Sequence, residues 1–354
     1  MNKKGYEAKK KIKVKYIFGY LLGLSIFSFI IYIGGIKSIK TNLRPALFPL
    51  FCCFVSNFFI FLIGSIRWGY ITNKIEKRKV CSYFDYFFYF MSSIFSAQYI
   101  PRVGGDFILR PGLLNRSNKV SFKRGVLAVF MEKTVDFLFI YIFIVPAILY
   151  IFNILTGHQF IIMILLILTG LVFLFVFKKN IFINITKKGL HGLLSIMQKL
   201  PILHRMIKDS YYLKLANLHE FKLLRENSLL FLSILTLFKY FFLCTRLYFL
   251  SVALGLNIPG LVIFAGIPIA QLSLILSFTP GALGILEGGW YAVFAISGIS
   301  EEEITTFLIG QRIYWFLFTT GIFLISYLVF GAKKLILARR SNARLPKKST
   351  KFVS

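Results

Sequence analysis

Negative charge is what this chain has least of: 13 Asp and Glu stand against 43 Lys and Arg, a formal net charge of +30. Cysteine and histidine are scarce too, at four each. Cys52, Cys53, Cys81 and Cys244 show no C-x-x-C spacing and fall in or beside apolar runs, so neither a zinc site nor a disulfide framework is indicated. His158, His191, His204 and His219 form no H-E-x-x-H pair, and no Gly-rich P-loop occurs. A paired-histidine metal helix and ATP-driven pumping by this chain are therefore not expected. No cofactor and no metal is expected.

Apolar residues are plentiful. With 57% hydrophobic residues, 16% charged residues and a mean hydropathy of +0.74, the 354-residue chain exceeds what a soluble core of this size buries. Its apolar runs reach the roughly 20 residues that span hydrocarbon. The expected fold is an all-α polytopic membrane protein with about six full spans: Tyr16 to Ile33, Ala46 to Ile66, Val126 to Phe152, Phe160 to Phe177, Ser228 to Leu254 and Thr305 to Phe330. The first follows a basic region, as a signal peptide would, but no small-x-small cleavage site comes after it, so it reads as an uncleaved span.

The basic residues crowd into Lys3 to Lys15, Lys74 to Lys79, Arg102 to Arg124, Lys178 to Arg225 and Lys333 to Lys351. That distribution matches the positive-inside rule rather than a nucleic-acid surface. A multi-pass protein of the cell membrane follows, with both termini cytoplasmic and no nucleic-acid partner. Residues 1–340 are expected to form one integral membrane domain, 178–227 being a cytoplasmic amphipathic connector and 341–354 a basic tail.

Two regions fit no simple span. The 14 residues from Phe84 to Ala97 rise only about 21 Å at 1.5 Å per residue, short of a hydrocarbon core of roughly 30 Å. The run then breaks around Pro101, Gly104, Gly105 and Asp106, before a basic stretch. Leu261 to Gly298 has the same build, interrupted by Pro280, Gly281 and Gly284 ahead of a short helix that carries Glu287. Two re-entrant hairpins opening to opposite sides explain both regions, and such broken segments at corresponding places point to a substrate site between inverted repeats. Full crossings by Leu261 to Phe278 and Ile285 to Ser297 would leave the same sidedness at the ends.

Charge also stands where it is costly. Glu132, Lys133, Asp136, Lys239, Arg246, Glu287 and Arg312 lie inside or against apolar runs, and an ionised group at the bilayer centre costs about 2.5 to 3.5 kcal/mol even on the mildest scale. A guanidinium matches phosphate oxygens two at a time. Arg102, Arg110 and Arg124 around the first break, with Arg246 and Arg312, are therefore candidates to bind a lipid phosphate, ordinary cytoplasmic charge being the alternative for the first three. Glu132 and Asp136 share a helix face, and Lys133 can reach Asp136 at a spacing of three. The resting partner of Arg312 is expected among Glu132, Asp136 and Glu287.

Together Pro101, Gly104-Gly105-Asp106 and Arg110, then Arg124 with the Val126 to Asp136 helix, then Pro280-Gly281-x-x-Gly284-x-x-Glu287-Gly288, then Gln311-Arg312, resemble the lysylphosphatidylglycerol synthase transmembrane-region family of bacteria. The resemblance covers nearly the whole chain. It implies a fold whose re-entrant helices enclose a cavity for a lipid headgroup. The soluble aminoacyl-transfer domain of the synthases has no counterpart in these residues, so aminoacyl transfer is not expected.

The expected function is flippase-like: movement of a phosphate-bearing lipid, an anionic phospholipid or a polyprenyl-linked sugar, between leaflets. Two alternatives stand beside it. One is a membrane transferase using Asp106, Glu132 or Glu287 as base; the other is a subunit that docks a soluble glycosyltransferase or lipid-modifying enzyme.

Overall fold

Long apolar helices interrupted by two proline-centred breaks set the architecture of the computed structural model. It describes residues 45–117, 120–177, 226–275 and 279–343, with four isolated positions between 25 and 32. In chain order the helices are α1 Leu47–Glu76, α2 Tyr83–Ser96, α3 Arg102–Gly104, a π-helical turn Gly105–Leu109, α4 Arg110–Arg116, α5 Phe122–Ile151, α6 Gly157–Phe177, α7 Glu226–Ala253, α8 Gly260–Ile275, α9 Ile285–Ile296 and α10 Glu301–Ala343. Among the described residues, Leu47–Glu76, Phe122–Ile151, Leu230–Ala253 and Glu301–Lys333 are long and apolar enough to cross a membrane.

These four match spans expected from sequence, with bounds longer at some ends and shorter at others. The expected end of the second span at Ile66 is corrected, because α1 continues ten residues to Glu76 and carries Arg67 into the interior. The run Phe160 to Phe177 lies within α6. The run Tyr16 to Ile33 and the connector 178–227 fall almost wholly outside the described residues, as do residues 344–354 of the tail.

The sequence of long helix, broken hairpin, long helix occurs twice, as α1 to α5 and as α7 to α10. In the first hairpin, α2 starts at Ser82, whose hydroxyl accepts from the Asp85 amide at 3.2 Å while the Asp85 carboxylate accepts from the Ser82 amide at 3.3 Å. That reciprocal cap fixes the start. The helix runs 14 residues to Ser96, and Pro101, which has no amide to donate and disfavours helix at Ile100, keeps the break open before α3. In the second hairpin α8 and α9 have 16 and 12 residues, about 24 and 18 Å of rise.

Contacts between the halves fix their relative direction. The Ala46 amide at the start of α1 donates to the Ala253 carbonyl at the end of α7 (2.9 Å), and Tyr70 near the end of α1 donates to Ser228 near the start of α7 (2.9 Å). Midway, the Phe59 and Phe242 rings stack at 4.8 Å. The two long helices run antiparallel.

The hairpins enter from opposite ends of the bundle. The first has its base where Lys333 of α10 pairs with Asp85 (2.7 Å) and Arg124 with Glu76 (3.2 Å). The second has its base where the Asn257 amide donates to Glu303 (3.0 Å). Their tips meet between these ends: Pro101 and Pro280 form an antiparallel bridge, and the Gly281 amide donates to the Ile100 carbonyl at 3.4 Å. The outer surface is apolar, with Leu166, Phe241, Leu317 and Leu328 largely exposed, while Arg67, Arg110, Glu132 and Glu287 are buried. Apolar side chains outside and charge inside is the arrangement that lipid requires.

Candidate functional site

α5 supplies the centre of the polar interior. Glu132, Lys133 and Asp136 lie within about one turn, and each finds a partner on another element. Asp136 takes Arg67 of α1 and Lys239 of α7, both at 2.7 Å. Arg67 also donates to the Glu132 carbonyl at 3.3 Å. Glu132 takes Arg110 at 2.8 Å. The expected Lys133 to Asp136 pair is replaced: Lys133 reaches Asp106 of the first hairpin at 2.7 Å. Two residues three apart on one helix can meet, but carboxylates from the tip and cations from α1 and α7 arrive with better geometry.

Arg110 is the most completely partnered of these groups. Its guanidinium meets Glu132 at 2.8 Å and Asp106 at 2.5 Å, donates to Ser93 at 2.8 Å, and stands 4.1 Å over the Phe90 ring and 5.9 Å from that of Trp68. A planar fork with fixed donors suits this many-sided contact. The two limbs of the hairpin must close tightly to bring Ser93 and Arg110 together. Gly105 permits it, because a Cβ there would lie 2.8 Å from the Ser93 carbonyl oxygen.

The second tip is built on three departures from ordinary backbone within four residues. Gly281 (φ +61°), Ala282 (φ +57°) and Gly284 (φ +80°) all occupy the left-handed half of conformational space, which glycine enters without steric penalty. Glu287 caps α9 by accepting from the Gly284 amide at 2.7 Å. Arg312 of α10 donates through Nε to the same carboxylate and through Nη1 to the Gly281 carbonyl at 2.7 Å. Of the three expected anionic partners of Arg312, Glu287 is the one present.

Between the hairpins, α5, α7 and α10 lies a cavity of about 230 Å³, lined by Arg102, Lys133, Lys239, Arg246, Arg312 and Trp315 among others. A second space of about 570 Å³ shares Arg102, Gly281, Arg312 and Trp315 with it. This one also touches Ile313, Phe316 and Leu317, which are exposed on the apolar flank of α10. The two hollows meet at the tips, and one of them reaches the surface that faces lipid.

Not every cation here is matched. Arg67, Arg102, Arg110, Lys133, Lys239, Arg246 and Arg312 make seven positive groups; Asp106, Glu132, Asp136 and Glu287 make four negative ones. Among the described residues, seven against four leaves three positive charges in excess. Arg102 stands 3.9 Å from Asp106, a loose contact. Arg246 is 7% exposed, lies 4.8 Å over the Trp315 ring, and has an Nε atom with no hydrogen-bond partner.

The structure thus brings together Arg102, Arg246 and Arg312 of the five arginines singled out by sequence, along with both tips. Arg110 is beside them but locked in ion pairs behind the cavity wall. Arg124 is elsewhere: its side chain is 55% exposed and paired with Glu76 near the lysine-rich end of the bundle. Arg67 was not singled out by sequence at all. Lys133 and Lys239 stand out in the sequence as charges in apolar runs, but that alone does not place them at the cavity. A signal for Lys239 existed, because it lies seven residues before Arg246, two turns along one helix face.

A family model described as the transmembrane region of lysylphosphatidylglycerol synthase matches residues 16–322, a stretch that contains every residue of this site. Neither a curated protein nor a solved structure matches the chain.

Proposed function

The chain belongs to the lysylphosphatidylglycerol synthase transmembrane-region family, and we propose that it acts there as a flippase-like transporter that moves a phosphate-bearing lipid between leaflets. The observation that carries this reading is the meeting of two oppositely opening hairpins at a cation-rich cavity continuous with the apolar surface. A charged headgroup cannot cross hydrocarbon unaided at low cost. A path that offers Arg102, Arg246 and Arg312 to the phosphate, while Phe316 and Leu317 border the tails, lowers that cost without covalent chemistry. Irregular backbone at the tips suits such a place, since unpaired amides and carbonyls at membrane depth are tolerated only against protein or a wet cavity.

Orientation follows from the lysines. The end bearing Lys74 to Lys79, Arg124 and Lys333 faces the cytoplasm of the cell membrane, and Glu301 to Glu303 face outward. A cysteine introduced at Lys187 is expected to resist an impermeant thiol reagent in intact cells and to react once the membrane is opened. Labelling from outside would overturn this topology.

The function is tested by placing the purified chain in liposomes with headgroup-labelled phospholipids and following exposure to an external quencher. Movement of unchanged lipid, well above that of protein-free vesicles, is the expected result. A chemically altered lipid would instead indicate the transferase, and neither movement nor alteration would indicate a docking subunit.

A further inference from the structure

We infer that the cavity selects by headgroup charge, taking a lipid whose phosphate carries two negative charges, a phosphomonoester or a diphosphate, and that Arg246 on the face of Trp315 reads that charge. The inference rests on the transport reading for the headgroup's location and goes beyond it by fixing the chemical class.

The charge balance of the interior is the first ground. Glu132 and Asp136 are held by Arg110 and by Arg67 with Lys239, Glu287 by Arg312, and Asp106 by Lys133 and Arg110. With each of these four carboxylates engaged, three positive charges remain over among the described residues. A dianionic phosphate cancels two of them, a phosphodiester one, and a zwitterionic headgroup none. A headgroup with a net positive charge would add to the excess.

Arg246 is the second ground. It is more than nine-tenths buried, has no carboxylate partner among the described residues, and retains a buried Nε donor without an acceptor. Stacking on Trp315 compensates part of a cation's lost hydration, but an aromatic face offers no acceptor to the in-plane N–H groups. The ring therefore compensates the charge while leaving the guanidinium's donors unsatisfied. Arg102 is 33% exposed at the same cavity and only loosely paired. Arg312 adds a buried Nη2 without a partner. Three guanidinium groups with spare donors around one cavity can meet the oxygens of one terminal phosphate, which presents three of them and carries about −1.5 to −2 at neutral pH.

The test varies headgroup charge at constant tails. Dihexanoyl phosphatidic acid, phosphatidylglycerol, phosphatidylcholine and lysylphosphatidylglycerol are titrated into the purified full chain in detergent. Tryptophan emission is read, with Trp315→Phe identifying the contribution of that ring. Phosphatidic acid is expected to bind at least tenfold more tightly than phosphatidylglycerol, and the other two without saturation. Arg246→Gln is expected to erase the tenfold preference without lowering the melting temperature, since it removes a buried charge that has no partner. Arg246→Lys should keep the preference with affinity reduced several-fold. Inorganic pyrophosphate should fail to displace phosphatidic acid.

Equal binding of the neutral or cationic lipid overturns the inference, as does a preference that survives in Arg246→Gln. A large fall in melting temperature in that variant overturns the assignment of Arg246, marking it as structural. Displacement by inorganic pyrophosphate as effective as by the lipid overturns the lipid as ligand. Selective binding without movement in liposomes would defeat transport and leave the charge class standing. Equal movement of all four lipids would do the reverse.

Discussion

Arg110→Ala is expected to leave almost no correctly folded protein. Arg110 is 1% exposed and serves Glu132, Asp106 and Ser93 at once, across the seam between the first hairpin and α5. Removing one partner of a buried ion pair costs about 3 to 5 kcal/mol, because the charge left behind has lost both water and partner. Here two carboxylates are left. Asp106 keeps Lys133 at 2.7 Å, but Glu132, 2% exposed, loses its side-chain counterion. A loss of that size reaches the lower end of the whole stability of an ordinary domain, roughly 5 to 15 kcal/mol.

The companion variants make the cause visible. Arg110→Lys keeps a charge but cannot serve three partners from one nitrogen, and should melt well below wild type while remaining folded. Arg110→Met with Glu132→Gln removes both charges and should recover much of what Arg110→Ala loses, since burying neither is often as stable as burying the pair. Size-exclusion profiles and thermal melts in detergent read all three. If Arg110→Ala is monodisperse and melts within a few degrees of wild type, the seam is not held by this residue.

Helix pairing was legible in the sequence to the extent that it depends on local pattern. Run lengths located α1, α5, α7 and α10, and the two Pro-Gly breaks located the hairpins, because a short apolar run ending in proline can neither span nor continue. Arg67 is hidden by the pattern that marks the span: hydropathy falls at Arg67-Trp68, so the apolar run ends at Ile66. What lets Arg67 lie buried in α1 beyond that point is Asp136, sixty-nine residues away. Ion-pair choice was equally invisible. Lys133 has Asp136 within reach on its own helix, yet pairs with Asp106, because Arg67 and Lys239 already occupy Asp136 from two other helices. Spacing states which groups can meet; only the assembled bundle states which pairing leaves the fewest charges alone. Arg124 shows the converse, since nearness to Arg110 in sequence placed it with the cavity although α5 begins at the lysine-rich end and carries it to the surface there.

Arg312 is where stability and transport can be pulled apart. Its Nε meets Glu287 and its Nη1 meets the Gly281 carbonyl at 2.7 Å, so it ties α10 to both sides of the second tip. Its Nη2 is buried and unpartnered, and the side chain borders both hollows. Arg312→Gln removes the charge opposite Glu287, which is 2% exposed, and should depress the melting temperature as heavily as a broken buried pair of about 3 to 5 kcal/mol implies. Combining it with Glu287→Gln should restore part of that loss, and the shortfall from additivity measures the pair. Arg312→Lys retains the ion pair and gives up the bond to Gly281, a charged hydrogen bond worth roughly 1.5 to 3 kcal/mol. That variant should fold with a moderately lowered melting temperature. It should nevertheless lose most lipid movement in liposomes, because a single ammonium bound to Glu287 has no second planar donor to offer a phosphate. If Arg312→Lys instead moves lipid at the wild-type rate while Arg312→Gln fails only by unfolding, Arg312 is a strut of the second tip, and Arg102 and Arg246 are left to hold the phosphate.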